Sequence, residues 1–203
     1  MIEFIVIVES GADARTATKL AERVLREKID WLDDESIQYY FKWSGLLSGT
    51  EYSCWRDIIK IINDAKEQFK YKPSRFLGHD SNSVPLKADG AASIKILHLV
   101  RFLQRRRQIK AIILIRDLDN QPERREGLEQ ARSQHINQQS LLEIVIGTAN
   151  PKREAWVLNG FIPSNQEEEN NLETIKTQLN FDPCIESHRL CATSFKEPER
   201  LRN

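Results

Sequence analysis

The chain has 203 residues, of which 30 are Lys or Arg and 30 are Asp or Glu, so its formal net charge is zero. A protein that holds DNA by its overall charge carries a basic excess, so this balance excludes that mode and leaves a local basic patch or a bound cation. Hydrophobic residues make up 40% of the chain and charged residues 30%, which is typical of globular proteins and excludes the disordered and fibrous classes.

The first predicted strand is Ile2–Val8, an apolar, β-branched run that only Glu3 interrupts, as in a strand buried on both faces. A helix is predicted over 14–28, with Asp13 as its N-cap. The aromatic residues of 36–43 then predict a second strand.

Strands and helices alternate along the rest of the chain. Apolar stripes at helical spacing predict helices over 51–69 and 91–107, and further helical segments are predicted over 122–137, 152–158 and 172–179. Apolar runs predict strands over 110–116 and 141–147, and a brief strand is predicted over 75–77 within a loop. This alternation predicts an α/β fold with a mostly parallel central sheet and helices on both faces.

The cellular location is predicted from the length of the apolar segments and from the charge of the first residues. The longest apolar runs, such as 112–115, are too short to span a bilayer, and the first residues have no basic segment before the apolar stretch that ends at Glu9. The three cysteines are an odd number, which favours reduced thiols over a disulfide framework. We therefore expect a cytoplasmic protein without a membrane partner.

Acidic residues follow three of the predicted strands. Glu9 follows the first strand, Asp117 and Asp119 end the strand over 110–116, and Glu154 lies seven residues beyond Gly147. Open α/β sheets bind ligands outside the carboxyl ends of their strands, and carboxylates that converge there need a hard divalent cation, Mg²⁺ or Mn²⁺. The alternative is that each acid is only a helix cap or a turn residue.

Basic residues stand beside these acids in the sequence. Arg15, Arg116, Lys152 and Arg153 are candidates for phosphate contacts, with surface solubility as the alternative. Phosphodiester cleavage needs both kinds of group, because acids hold the metal ions that activate water and cations neutralise charge on the phosphate.

The segments Val8-Glu9-Ser10-Gly11-Ala12-Asp13 and Ile115-Arg116-Asp117-Leu118-Asp119 resemble the toprim domain of topoisomerases, primases and overcoming-lysogenization-defect nucleases. The segment 149–158, with Glu154-Ala155-Trp156, resembles a group of uncharacterised bacterial toprim-like proteins. Ser10 stands where topoisomerases and primases usually have Gly, which favours the nuclease branch.

The resemblance covers about residues 1–160 in element order and implies a toprim-like fold. It also implies that Glu9, Asp117 and Asp119 bind Mg²⁺, with Glu9 as ligand or base and Glu154 as a ligand of a second ion. We interpret 1–160 as a toprim-like α/β domain with a helical insertion around 45–107, and 161–203 as a helical or irregular extension of it.

The function expected from these residues and this resemblance is metal-dependent cleavage of nucleic acid, within a bacterial defence assembly. The alternative is a non-catalytic interaction protein of the same fold that docks onto a partner such as an ATPase. The sequence leaves the choice between DNA and RNA and the oligomeric state open.

Overall fold

The computed structural model describes residues 1–73, 78–79, 83–136 and 141–190. The strands are β1 (Ile2–Val8), β2 (Phe41–Ser44), β3 (Ser53–Cys54), β4 (Ile109–Asp117) and β5 (Glu143–Ala149). The helices are α1 (Gly11–Lys28), α2 (Ile37–Tyr40), α3 (Ile58–Phe69), α4 (Gly90–Leu103), α5 (Glu123–Ile136), α6 (Arg153–Leu158) and α7 (Gln166–Leu179), with 3-10 turns at Trp55–Asp57 and Ser187–Arg189. The strand predicted over 75–77 lies outside the described residues.

The fold is α/β, with a mostly parallel central sheet flanked by helices, which confirms the predicted class and is consistent with a toprim-like fold. The strand order is β2-β1-β4-β5, and β3 also pairs with β1. β1 pairs in parallel with β2, with β3 and with β4. Because β1 is central, its residues 5–8 are fully buried, which explains its nearly continuous apolar sequence.

One edge of β1 is shared by two short strands. Ile5 pairs with Ser44 at the end of β2, and Ile7 pairs with Ser53 at the start of β3. The chain leaves the sheet between them over residues 45–52. β3 has only two residues, so it is defined by its pairing with β1 and not by a pattern in its own sequence.

The chain divides into two compact units. The first comprises Met1–Arg116 and Pro122–Gly147, and the second comprises Asp117–Gln121 and Thr148–Asn203. The apolar core of the first unit includes Ile5 of β1, Leu114 of β4 and Leu97 of α4. A smaller apolar cluster in the second unit forms around Leu158 of α6 and Leu190.

The first helix begins earlier than predicted, at Gly11, because Ser10 rather than Asp13 is its N-cap. The Ser10 hydroxyl accepts a hydrogen bond from the Asp13 backbone N–H, and the Asp13 carboxylate accepts one from the Ser10 backbone N–H at 2.7 Å. This reciprocal pair is a capping box, which satisfies two of the backbone donors at a helix start.

The strand predicted over 36–43 is wrong in its first half. Residues 37–40 form the single helical turn α2, and β2 begins only at Phe41. The turn starts because the Asp33 carboxylate accepts a hydrogen bond from the Ser36 N–H at 2.7 Å, while the Ile37 N–H donates to the Asp33 carbonyl. Local hydrogen bonding from an aspartate thus outweighs the β propensity of the two tyrosines.

Across the described ranges, no helix is both long enough and apolar enough to cross a lipid bilayer.

Candidate functional site

Glu9 and Arg116 meet in the first unit, at the carboxyl ends of β1 and β4. These strands are parallel neighbours, with Ile7 of β1 opposite Leu114 of β4. Glu9 directly follows β1, and Arg116 is the penultimate residue of β4. The Arg116 Nη1 donates a hydrogen bond to the Glu9 Oε1 at 2.8 Å. The predicted metal ligand is therefore held by the predicted phosphate-binding residue.

Asp89 and Arg124 complete a group of two acids and two arginines. Arg116 donates to both carboxylate oxygens of Asp89, from Nε at 2.7 Å and from Nη2 at 3.3 Å. Arg124 lies 3.8 Å from a carboxylate oxygen of Glu9 and 3.8 Å from one of Asp89. We call Glu9, Asp89, Arg116 and Arg124 the charge cluster; the exposed side-chain fraction is 30% for Glu9 and 15–18% for the other three.

The helices α4 and α5 position two members of the charge cluster. Asp89 precedes α4 with a φ of 63°, and its carbonyl accepts hydrogen bonds from the backbone and the hydroxyl of Ser93. Arg124 is the second residue of α5. The two helices approach closely where Gly127 faces Gly90, since a Cβ on Gly127 would lie 2.8 Å from the Gly90 nitrogen and 2.0 Å from the Ala88 oxygen.

Trp55 supports Arg116 from the side. Its indole N–H donates to the Ile115 carbonyl at 2.7 Å, which fixes the ring beside β4. The Arg116 guanidinium lies 5.4 Å from the centre of the ring, within the range of a cation–π interaction. Arg116 is thus held by Asp89, Glu9 and an aromatic ring together.

In the second unit, the carboxylate of Asp117 is hydrogen-bonded to the backbone at the start of α6. Its Oδ1 accepts a hydrogen bond from the N–H of Arg153, the first residue of α6, at 2.9 Å. The Leu118 N–H donates to the Ala149 carbonyl, and the Asp119 N–H donates to the Pro151 carbonyl. These hydrogen bonds join the Asp-x-Asp motif to the segment 149–153, which runs from the end of β5 to the start of α6.

The other predicted residues of the second unit form ion pairs. The Lys152 Nζ lies 3.6 Å from the Asp119 Oδ1, and the Arg153 Nη2 donates to the Glu154 Oε1 at 3.0 Å. The structure thus brings Asp119 and Glu154 next to Lys152 and Arg153, two of the four basic residues predicted to contact phosphate. Asp119 itself has a φ of 47°, in the left-handed region that short turns use.

Arg15 belongs to the first unit. It is exposed on α1 and lines a cavity of about 700 Å³ with Trp43 of β2 and Tyr52. The indole N–H of Trp43 donates to the Glu22 carboxylate at 2.7 Å in the same cavity. A phosphate contact by Arg15 remains a prediction.

The donor atoms at both places are carboxylate oxygens, which Mg²⁺ and Mn²⁺ prefer, so the donor chemistry suits the expected ion. Over the described part of the chain, however, no group of three or more His, Cys, Asp or Glu residues is arranged to hold a metal. Among the acids that would serve as ligands, Glu9, Asp119 and Glu154 form ion pairs with arginine or lysine, and Asp117 accepts a hydrogen bond from a backbone N–H.

Sequence reasoning missed Asp89 and Arg124. Asp89-Gly90 has the composition of a loop, and Arg124 lies in a helix that is polar throughout its first turn. The one usable signal was Gly127, a glycine inside a helix, which often marks a close approach of backbone.

Sequence reasoning also missed a second buried ion pair, at the amino end of β1. Arg107 donates to both oxygens of the Glu3 carboxylate at 2.9 Å, and the Ser44 hydroxyl donates to the same group at 2.6 Å. These bonds, above all those from Arg107, lower the pKa of Glu3 to about 2. The polar residue that interrupts the apolar run of β1 was the available signal.

Comparisons of the chain with protein-family models, with curated proteins and with solved structures give no match. The likeness to toprim domains therefore rests on the motifs around Glu9, Asp117 and Glu154.

Proposed function

We propose that this chain is a toprim-like nuclease that uses Mg²⁺ or Mn²⁺ to cleave phosphodiester bonds of a nucleic acid, in the cytoplasm and as part of a bacterial defence assembly. The observation that carries the proposal is the direct parallel pairing of β1 with β4, because these are the two strands whose ends carry the Glu9 and Asp-x-Asp motifs.

The role of each residue follows from its chemistry and its position in the sequence. Glu9, Asp117 and Asp119 are the proposed cation ligands, and Glu154 is the ligand of a second ion. Arg15, Arg116, Lys152 and Arg153 contact phosphate oxygens. The bound cation supplies an activated water and neutralises the charge that develops on the phosphate.

The ion pairs of Glu9 and Asp119 must be broken before these residues can bind a cation. Glu9 must exchange Arg116 for the cation, and Asp119 must exchange Lys152. Each exchange costs an ion pair, so the proposed site needs cation concentrations in roughly the millimolar range rather than traces.

A cleavage assay with labelled single-stranded DNA, double-stranded DNA and RNA tests the proposal. We expect the wild type to cleave at least one substrate in Mg²⁺ or Mn²⁺, and Glu9→Gln and Asp117→Asn to lose about 10²-fold or more of the rate. Glu67→Gln, at an exposed position on α3, is the matched control and should keep full activity. Equal rates in all four proteins would refute the proposed ligands.

Glu154 is tested separately, because its contact with Arg153 suits a structural role as well. If Glu154 ligates a second ion, Glu154→Gln should reduce metal-dependent cleavage by orders of magnitude while stability in chelator stays level. A loss of stability in chelator with unchanged cleavage would instead assign Glu154 to the Arg153 ion pair.

A second candidate function is a non-catalytic interaction protein that docks onto a protein partner. It is favoured by the ion pairs of Glu9, Asp119 and Glu154 described above and by apolar side chains that are exposed on α1 and on the segment after it. Leu20 is 53% exposed, Val24 46%, Trp31 62% and Tyr39 71%. A group of exposed apolar side chains is typical of an interaction surface.

The two candidates differ in which substitutions matter. Under the docking function, Trp31→Ser and Leu20→Ser should abolish co-purification of a partner, while Glu9→Gln leaves it unchanged. Under the nuclease function, Glu9→Gln should abolish cleavage, and the two surface substitutions should leave cleavage intact.

A further inference from the structure

The cavity of about 700 Å³ that Arg15 lines is formed within the first unit by α1, α2, β2 and residues 51–52. On the side of α1 its wall includes Gly11, Ala14 and Thr18, which lie at helical spacing on one face and have small side chains. Sites for small ligands have volumes of about 300–1,000 Å³, so this cavity has the size of a ligand site.

Aromatic rings from β2 line the same cavity. Phe41 and Trp43 lie two residues apart on β2, so their side chains belong to the same face of the sheet. Both rings are half-buried and pack against Phe4 of β1, with centroid distances of 5.4 Å for Phe41 and 5.1 Å for Trp43. The indole N–H of Trp43 is also bound to Glu22. Rings that are held in place in this way are platforms on which a nucleobase can stack.

Two hydrogen-bond donors of the cavity lie near the start of α1. A Cβ on Gly11 would lie 2.9 Å from the Tyr52 hydroxyl oxygen and 3.8 Å from the Arg15 Nη1, so both groups are close to that point. Among the residues that the structure describes, neither the Tyr52 hydroxyl nor the Arg15 guanidinium has a hydrogen-bond or ion-pair partner. Both groups donate to phosphate oxygens, and the bonds from a guanidinium are charge-assisted.

The cavity differs in charge along the length of α1. Arg15 and Glu22 both line it, and the rise of the helix separates their backbones by about 10 Å. A phosphate is attracted to Arg15 and repelled by Glu22, whereas the carboxylate of Glu22 lies beside the ring of Trp43 and can accept from the N–H groups of a base. The exposed Lys42 and Glu51 also line the cavity, with formal charges that cancel.

We propose that this cavity binds one nucleotide of a single-stranded nucleic acid, with its base stacked on the rings of Phe41 and Trp43 and its phosphate bound by Arg15 and the Tyr52 hydroxyl. The inference rests on the proposed function, in which the substrate is a nucleic acid, and it adds which form is bound. Bases of a duplex are paired and stacked on one another, so they reach a protein ring only when they are flipped out. Single strands are therefore the preferred ligand.

Fluorescence anisotropy with the full chain tests this, in chelator so that no metal-dependent cleavage occurs. The probes are a labelled ten-nucleotide oligothymidylate, a strand of the same length and charge with abasic sites in place of the bases, and a duplex of the same length. We expect the wild type to bind the oligothymidylate about tenfold more tightly than the abasic strand, because the stacking of a base contributes an affinity of this order. It should also bind the duplex more weakly than the oligothymidylate.

Trp43→Leu and Trp43→Phe form a matched pair, because both remove the hydrogen bond to Glu22 and only the first removes the aromatic ring. Trp43→Leu should bind the oligothymidylate about tenfold more weakly than Trp43→Phe, and the two should bind the abasic strand equally. Phe41→Leu provides a second test should Trp43→Leu fail to fold, which thermal unfolding reveals. Phe69→Leu, at an exposed position on α3, is its control and should bind as the wild type.

Arg15→Gln tests the phosphate contact. It should lower the slope of the logarithm of affinity against the logarithm of salt concentration by about 0.7, the value expected for one phosphate contact with a single strand. Arg23→Gln is the matched control, because Arg23 is exposed on the same helix outside the lining of the cavity. Its slope should equal that of the wild type.

Several results would overturn the inference. They are equal affinity of the wild type for the oligothymidylate and the abasic strand, equal binding of the oligothymidylate by Trp43→Leu and Trp43→Phe, and equal slopes for Arg15→Gln and Arg23→Gln. Stronger displacement of the probe by thymidine 5′-monophosphate than by the unlabelled strand would also overturn it, since the occupant would be a free nucleotide.

The inference and the nuclease function fail in different ways. If the wild type cleaves nucleic acid while the cavity variants bind every probe as the wild type does, the inference fails and the nuclease function stands. If the cavity binds single strands as expected and neither Mg²⁺ nor Mn²⁺ supports cleavage, the nuclease function fails and the nucleotide site stands. If the wild type neither binds nor cleaves any probe, both fail.

Discussion

Arg107 neutralises the one acid that lies inside the apolar run of β1. Glu3 is 7% exposed, so removal of its bidentate partner would leave a buried carboxylate beside only the hydroxyl of Ser44 and the distant ammonium of Lys42, at 3.7 Å. We expect Arg107→Gln to lower the free energy of unfolding by about 3–5 kcal/mol. The exposed Arg106→Gln should change it by no more than about 0.5 kcal/mol. Urea unfolding at neutral pH measures both, and similar losses would contradict the assigned role of Arg107.

The ion pair of Glu3 and Arg107 makes the free energy of unfolding depend on pH in the acid range. The pKa of Glu3 falls from 4.5 to about 2 on folding, so the unfolded chain takes up a proton between these values while the folded chain does not. Stability from this group is therefore complete above about pH 4.5 and is lost as the pH falls toward 2, by about 3 kcal/mol in all. Glu3→Gln should flatten this part of the curve of unfolding free energy against pH.

The buried His135 predicts a second loss of stability on acidification, which begins at a higher pH than the loss caused by Glu3. Its side chain is 3% exposed, and its Nε2 has no hydrogen-bond partner among the described residues. Burial lowers the pKa of His135 from 6.5 to about 4, and the nearby charges of Arg101 and His98 add to the effect. Protonation thus favours the unfolded chain as the pH falls below 6.5, at a cost of roughly 2 kcal/mol at pH 5.

His135→Leu should remove most of this loss between pH 7 and pH 5, as measured by urea unfolding at the two pH values. Some loss should remain, because burial also lowers the pKa of His98. The exposed His188→Leu serves as the control and should keep the full slope. An unchanged slope in His135→Leu would contradict the assignment.

The residues of the candidate site were predictable in part. Glu9 and Arg116 could be identified because each stands at the end of a strongly apolar strand, and strand ends are visible in the sequence. Asp89 and Arg124 could not, because their partners lie tens of residues away and an ion pair between distant residues leaves no local pattern. The pairing of Lys152 with Asp119 is likewise a product of folding.

At the level of elements, the close approach of α4 and α5 depends on a missing side chain. A Cβ on Gly127 would meet three backbone atoms within 3.0 Å, namely the Ala88 oxygen, the Gly90 nitrogen and the Lys87 oxygen. Since backbone cannot move aside cheaply, Gly127→Ala should cost about 3 kcal/mol or more. Gly11→Ala is the contrast, because the nearest atom to its new Cβ is the hydroxyl at the flexible end of Tyr52. Equal urea midpoints for the two variants would contradict the packing argument.

Ser10, the N-cap of α1, lies within the motif 8–13 that contains Glu9. Ser10→Ala removes the hydroxyl of the capping box and should lower the free energy of unfolding by about 1 kcal/mol, whereas Ser10→Gly should cost only about 0.3 kcal/mol. Thermal unfolding of the two variants checks this order. The reversed order would show that Ser10 acts through something other than its cap.

Elements with a strong pattern were predicted well, and those defined by tertiary contacts were not. β1, β4 and α5 agree with their predicted bounds to within about one residue, because apolar runs and helix periods are local. β3 was absorbed into a predicted helix over 51–69, since two residues cannot carry a strand signal. Trp55, assigned to that helix, lies instead in the 3-10 turn before α3.

For the whole molecule, mass action predicts a response to divalent cations. A cation that binds only the folded chain stabilises it by about 1.4 kcal/mol when present at ten times its dissociation constant. We therefore expect millimolar Mg²⁺ or Mn²⁺ to raise the thermal midpoint of the wild type, and Asp117→Asn to reduce the rise. An equal shift in both proteins would place the bound ion away from Asp117.

Two short strands, β2 and β3, pair with the same side of β1, and this arrangement affects self-association through the edge of the sheet. A long exposed edge strand is a template on which a second molecule can add its own strand, and that route leads to aggregation and domain swapping. Here the neighbour of β1 is a four-residue strand and a two-residue strand, with residues 45–52 leaving the sheet between them. Neither piece offers an uninterrupted row of hydrogen-bonding groups, so this edge is protected from intermolecular strand addition.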